Sequence, residues 1–259
     1  MKKALIVQPG KSGDLIVTTP IAKFYNQRGY DIDWPVWDDF LSYFRAFDFI
    51  NPISCSMKFE KSYHSPNNRY TFGNGYVLYI FDKIKNMITE SNYDLIINPS
   101  FSFGRSALIS IENEEMVQKF KSEGRNWIDQ KYVLGKVPLK ERWNFKWTRD
   151  EKREDELLEK IKSYSKKKYG SEKYSLIHNY QKGFRTDSIK DLENPIYFSY
   201  IEGYEVYDWY KVILQAEKIV CCDSCLVHFV EVVPEFKKKE KYYVGTEEPH
   251  RNEYMRNIL

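Results

Sequence analysis

Apolar positions along this chain switch between two spacings. Ala4-Leu5-Ile6-Val7 is a short continuous apolar run, the pattern of a parallel strand buried on both faces. Pro9-Gly10-Lys11-Ser12-Gly13 is turn-rich, and from Asp14 the spacing becomes helical through Leu15, Thr18, Ile21, Ala22 and Tyr25, with Gly29 as the stop. Strands are predicted at Tyr30 to Trp37 and Phe49 to Cys55, with a short helix over Asp39 to Phe47 between them. Residues 57–75 read as a long loop. A helix follows over 76–91, carried by Val77, Ile80, Phe81, Ile84, Met87 and Ile88. Tyr93 to Asn98 reads as a buried strand and Glu112 to Glu123 as a polar helix.

Residues 125–149 have weak periodicity and carry the breakers Gly135 and Pro138 with Asn126 and Asn144, so the domain junction is placed there. Glu151 to Tyr169 is a charged helix with apolar Leu157, Leu158, Ile161 and Tyr164. Strands are then expected at Tyr174 to His178, Ile196 to Ile201, Lys218 to Cys222 and Lys241 to Gly245, with helices near 207–216 and 225–233. Strands alternating with helices predict an α/β fold with parallel sheets. The expected domains are 1–145 and 146–259, both Rossmann-like, with ligands bound beyond the carboxyl ends of the strands.

Composition narrows the function. Forty Lys and Arg against thirty-seven Asp and Glu leave +3 in 259 residues, little for a dedicated nucleic-acid binder. Apolar residues make up 42%, enough for a core. No apolar run reaches membrane-spanning length, and the four Cys read as reduced thiols, so the expected location is cytoplasmic.

Three clusters fall at predicted strand ends. Gly10-Lys11-Ser12-Gly13-Asp14 offers a tight turn, an anion-attracting helix start and a carboxylate. Asp14 reads locally either as a helix cap or as a general base, and the local pattern favours the cap. His178-Asn179-Tyr180-Gln181-Lys182-Gly183-Phe184-Arg185 puts two cations beside a glycine, as a diphosphate site needs. Cys222-Asp223-Ser224-Cys225-Leu226-Val227-His228 offers a capped helix start with His228 one turn in. Zinc binding by Cys222, Cys225 and His228 lacks a nearby fourth ligand. Six aromatic residues, Trp34, Trp37, Phe40, Tyr43, Phe44 and Phe47, could stack on sugars, although such a stripe is more often core.

In this order the clusters resemble a known family. Gly13-Asp14-Leu15-Ile16-Val17-Thr18-Thr19-Pro20 is similar to the G-D-x-x-x-T-T-P signature of glycosyltransferase family 9, the lipopolysaccharide heptosyltransferases. Asp223-Ser224-Cys225-Leu226-Val227-His228 resembles that family's D-[ST]-G-x-x-H loop, and Val244-Gly245-Thr246-Glu247-Glu248-Pro249 its G-[PS]-T-x-P stretch. The resemblance implies a GT-B fold, two Rossmann-like domains facing across a cleft, with the C-terminal one shortened. It implies an inverting, metal-independent transfer from a nucleotide-diphosphate sugar, ADP-linked sugars among them, to a glycan or lipid-linked saccharide, with no further cofactor. Asp14 would be the catalytic base, with Lys11, Ser12 and Gly13 in the phosphate and acceptor loop. Lys182, Arg185, Asp223, Ser224 and His228 would bind the donor. A lipid acceptor would bring the protein to the inner face of a membrane. Cys225 stands where the family has Gly. Two other readings keep the fold: transfer to modified DNA bases, which the charge balance disfavours, and a binding protein without turnover.

Overall fold

The computed structural model describes residues 2–9, 12–55, 83–90, 92–99, 118–120, 122–124, 126–178, 192–222 and 224–243. The chain divides into two compact units, one ending at Trp147 and the other beginning at Thr148 in the main chain run.

The first unit holds strands β1 (Lys2–Ile6), β2 (Tyr30–Val36), β3 (Ile50–Ser54) and β4 (Leu95–Ile97) in the order β3-β2-β1-β4, all parallel. β1 is central, and its Ala4, Leu5 and Ile6 are fully buried. Helix α1 (Ser12–Asn26) follows it, and every residue from Leu15 to Ala22 is buried. The helix contains Pro20, whose missing N–H leaves the Ile16 carbonyl without its helical partner. Side chains tie this stretch down. The Thr19 hydroxyl donates to Leu15 O at 2.8 Å or meets the Tyr43 hydroxyl at 3.0 Å, and the Tyr132 hydroxyl donates to Val17 O at 3.1 Å.

Between β2 and β3 the expected short helix is 3-10, over Asp38–Ala46. The aromatic stripe is core: Trp34, Trp37, Phe40, Tyr43, Phe44 and Phe47 are all buried, with rings meeting edge-on or tilted. None of the six presents a stacking platform to a sugar. Helix α2 is described over 83–90. Residues 118–120 and 122 are helical within the expected polar helix.

The expected irregular stretch 125–149 contains two elements. Helix α3 (Trp127–Leu134) is capped by Asn126, whose side chain accepts from Ile128 N and Asp129 N at 2.9 Å each. A 3-10 turn follows at Leu139–Asn144. Weak periodicity misses α3 because Ile128, Gln130, Lys131 and Tyr132 are all buried, which leaves no polar stripe to alternate with an apolar one. Gly135 ends the helix against α1. A Cβ there would lie 3.1 Å from the Ile21 side chain and 3.0 Å from Lys131 O, so the close approach needs glycine.

The second unit opens with α4 (Glu151–Tyr169), capped by Asp150 and stopped by Gly170 at φ +75°. The forked Arg149–Glu154 pair, at 2.9 and 2.6 Å, fixes its first turn, and Arg149 lies over the Tyr210 ring at 4.1 Å. Strands β5 (Ser175–His178), β6 (Pro195–Tyr197), β7 (Lys218–Cys221) and β8 (Glu240–Tyr243) form a parallel sheet ordered β6-β5-β7-β8. The helix expected at 207–216 is a 3-10 turn, Val206–Trp209, running into α5 (Tyr210–Gln215). Helix α6 (Cys225–Val232) lies between β7 and β8.

Two buried phenols tie helix α1 to α3 and helix α5 to the residue before β5. Tyr132 donates to Val17 O in the first unit, and Tyr174 donates to Val212 O at 2.8 Å in the second. Burial raises both phenols above the ordinary range. Each therefore stabilises the fold below about pH 10, and that contribution falls as pH rises, because the unfolded chain releases protons the folded chain keeps. The expected slope is about 1.4 kcal/mol per pH unit per group. Chemical denaturation at pH 8 to 11 should show falling stability, less steep in Tyr132→Phe and Tyr174→Phe. A flat profile in wild type would contradict this account.

Candidate functional site

Each sheet winds outward in both directions from one strand, so each has a switch point where the two connections diverge. In the first unit it lies between β1 and β4, in the second between β5 and β7. The sequence-predicted residues that the structure describes lie at these two places.

In the first unit the chain leaving β1 is held on both sides. Val7 N donates to Ile97 O at 2.8 Å, Trp34 Nε1 to Gln8 O at 2.7 Å, and Trp37 N to Pro9 O at 3.0 Å. Ser12 and Gly13 form the first turn of α1 and are half-buried. Asp14 is the third residue of the helix, so it is no cap; this corrects the local expectation. Its side chain is 16% exposed, and Oδ1 lies 2.9 Å from the ammonium of Lys131. Lys131, only 1% exposed, also donates to Gln8 Oε1 at 2.6 Å and to Pro99 O at 3.3 Å. One ammonium thus joins the carboxyl ends of β1 and β4 to the start of α1. Lys131 and Gln8 carry no motif and were not singled out in the sequence. The one available hint was the Asn126 cap three residues before Asp129.

In the second unit His178 ends β5 and Ser224 precedes α6. His178 Nδ1 and Ser224 Oγ share a hydrogen bond of 2.8 Å, and both residues are 8% exposed. Below, Cys222 N donates to His178 O at 3.2 Å, and the His178 ring packs on Phe198 with centroids 4.8 Å apart. Ser224 occupies the cap position of α6, yet its side chain makes no capping bond. Its hydroxyl goes to His178 instead, which leaves the first amides of α6 without a side-chain acceptor from their cap. His228 is 2% exposed, deep in a helix that is buried along nearly its whole length. Lys11, Lys182, Arg185 and Asp223, with the 244–249 stretch, lie outside the described residues.

Cys225 opens α6. Burial, with Cys222 beside it, pushes its thiol up to about 12. Burial likewise pushes Cys55 up to about 11 and Cys221 well above the thiol range. Raised in this way, the thiols hold their protons and are poor nucleophiles near neutral pH. Among the described residues no group of three His, Cys, Asp or Glu gathers as a metal site. The D-x-D string Asp31-Ile32-Asp33 lies within β2, where Asp33 accepts from Asn51 Nδ2 at 2.7 Å and the Tyr93 hydroxyl at 3.0 Å. Among the described residues no helix is long and apolar enough to cross a membrane.

No family model matches the chain, and no curated protein does. Solved structures do. The glycosyl transferase family 9 structure from Veillonella parvula DSM 2008 aligns with a TM-score of 0.52 and 11% identity, covering 99% of this chain and 90% of that one. The fold is GT-B. A second match is E. coli heptosyltransferase WaaC with ADP-2-deoxy-2-fluoro heptose, at a TM-score of 0.41 and 12% identity, covering 96% of this chain and 94% of that one. In this GT-B chain the family-like motif loops fall at the carboxyl edges of both sheets.

The buried thiols give a direct check on the second-unit site. At pH 8 a thiol raised to about 11 is ionised in about one molecule in a thousand. Cys55, Cys221 and Cys225 should therefore resist iodoacetamide in the native protein and react promptly in denaturant. Peptide mapping that finds Cys225 alkylated as fast as a free thiol would show this helix start to be open.

Proposed function

We propose that the chain is a glycosyltransferase that moves a sugar from a nucleoside-diphosphate donor to a hydroxyl acceptor with inversion. The observation that carries this reading is positional. The two segments that resemble the family 9 motifs run into the helices α1 and α6, which start by the switch points of their own sheets, where open α/β sheets take ligands.

The chemistry assigns a role to each unit. Asp14 accepts the proton of the acceptor hydroxyl as its oxygen bonds to the anomeric carbon. The bond from that carbon to the diphosphate oxygen breaks, and the electron pair leaves with the nucleoside diphosphate. Charge therefore builds on the diphosphate. The amides that open α6 and the cations Lys182 and Arg185 are the groups proposed to stabilise it. Asp223 before α6 and His228 within it are assigned to the donor side, and Lys11, Ser12 and Gly13 to the acceptor side. The transfer is proposed to run without a metal, since helix amides and lysine or arginine can carry the leaving-group charge. The acceptor is proposed to be a glycan or lipid-linked saccharide, reached from the cytoplasmic side.

A thermal-shift screen against ADP, GDP, UDP, CDP and their common sugars tests the donor assignment. A nucleotide at about 100 times its Kd stabilises by about 2.7 kcal/mol, a measurable rise in midpoint. One nucleotide family should raise the midpoint, and Lys182→Ala and Ser224→Ala should each reduce the effect. A cooperatively folded protein that responds to none of them would refute the donor site.

A further inference from the structure

We infer that Lys131 is a positioning residue for Asp14: it fixes the carboxylate through Oδ1 and leaves Oδ2 to take the acceptor's proton. The inference rests on the reading of Asp14 as the base and deepens it.

The geometry argues for more than a packing role. A lysine that serves only to fill space has no need to bring its ammonium to the carboxyl edge of the sheet, among Asp14, Gln8 and Pro99. Burying an ammonium is costly unless acceptors surround it. Here Gln8 Oε1 at 2.6 Å and Pro99 O at 3.3 Å supply acceptors at the ends of the two strands that flank the switch point. Gln8 is itself held, since its carbonyl accepts from buried Trp34. The ammonium is thus anchored to the sheet independently of Asp14. The carboxylate at 2.9 Å is the less buried partner, on the first turn of α1 and 16% exposed. A cation anchored by other acceptors sets the orientation of the carboxylate beside it. Distance along the chain fits this view: the contact spans α1, three strands and α3, and helix α3 is brought in by Gly135 pressed on Ile21.

Positioning has a consequence that stability alone lacks. If Lys131 acts through Asp14, its removal matters only while Asp14 can act as a base. A misplaced general base loses rate by about 100-fold for a displacement near 1 Å. The test measures release of nucleoside diphosphate from ADP-, GDP- and UDP-glucose with water as the acceptor. The proteins are wild type, Asp14→Asn, Lys131→Met, Lys131→Arg and the Asp14→Asn/Lys131→Met double variant.

Lys131→Met should lower kcat by about 100-fold with KM for the nucleotide sugar unchanged. Lys131→Arg, which keeps the cation, should recover most of that loss. The double variant should be no slower than Asp14→Asn alone. Equal kcat in wild type and Lys131→Met, or a further loss in the double variant equal to the loss in wild type, overturns the inference while the base assignment stands. Equal rates in wild type and Asp14→Asn overturn the base assignment and the inference together. Should Lys131→Met fail to fold, Lys131→Arg and Gln8→Leu carry the test. Gln8→Leu loosens the ammonium's anchor and should lower kcat in wild type but not in Asp14→Asn, and equal losses in the two backgrounds overturn the inference.

Discussion

A parallel sheet wound both ways from one strand leaves a gap at its carboxyl edge that backbone hydrogen bonds do not fill. Both units of this chain meet that constraint, and both meet it with side chains. In the first, the Lys131 ammonium bridges the ends of β1 and β4 and catches Asp14 on the way. In the second, His178 and Ser224 bridge β5 and the start of α6. Much of the surrounding structure serves these bridges. The Trp34 indole holds Gln8 for Lys131, Gly135 lets α3 approach α1, and Phe198 backs the His178 ring.

The two bridges differ in chemical character. Lys131 and Asp14 form a charged pair, and such a pair survives burial only with further acceptors around it. Loss of Asp14 leaves the Lys131 ammonium buried with neutral acceptors alone. His178 and Ser224 form a neutral or singly charged hydrogen bond. It withdraws the hydroxyl from the α6 cap, so Ser224 makes no capping bond to the first amides of the helix. In the proposed transfer the first arrangement orients the base, and the second lies beside the departing diphosphate.

Much of this architecture was legible in the sequence, and the exceptions share a cause. The 19-residue α4 is amphipathic and has an Asp cap and a Gly stop, so its boundaries could be read directly. β5 and β7 are apolar runs followed by polar loops, and their ends are where the motifs begin. Helix α3 was not legible, because burial of Gln130 and Lys131 beside Ile128 and Tyr132 erases the periodic signal. Asp14 was visible but ambiguous. Nothing within a few residues distinguishes a cap from a base, and its partner stands 117 positions further on. Lys131 was thus hidden twice, by a helix without a stripe and by a contact without a motif.

Cys225 shows how a segment can depart from the family pattern it resembles and still leave the local backbone intact. A glycine at a phosphate loop is needed either for a left-handed backbone or for close approach of a ligand. The first need is absent here. Cys225 is the first residue of a right-handed helix, and among the described non-glycine residues only Lys136 and Asn194 have positive φ. A side chain at this position therefore strains nothing. The second need concerns volume, and Cys225 is partly exposed at the start of α6. The substitution thus leaves the backbone of α6 unstrained, and the thiol itself lies against the opening amides of Cys225 and Leu226.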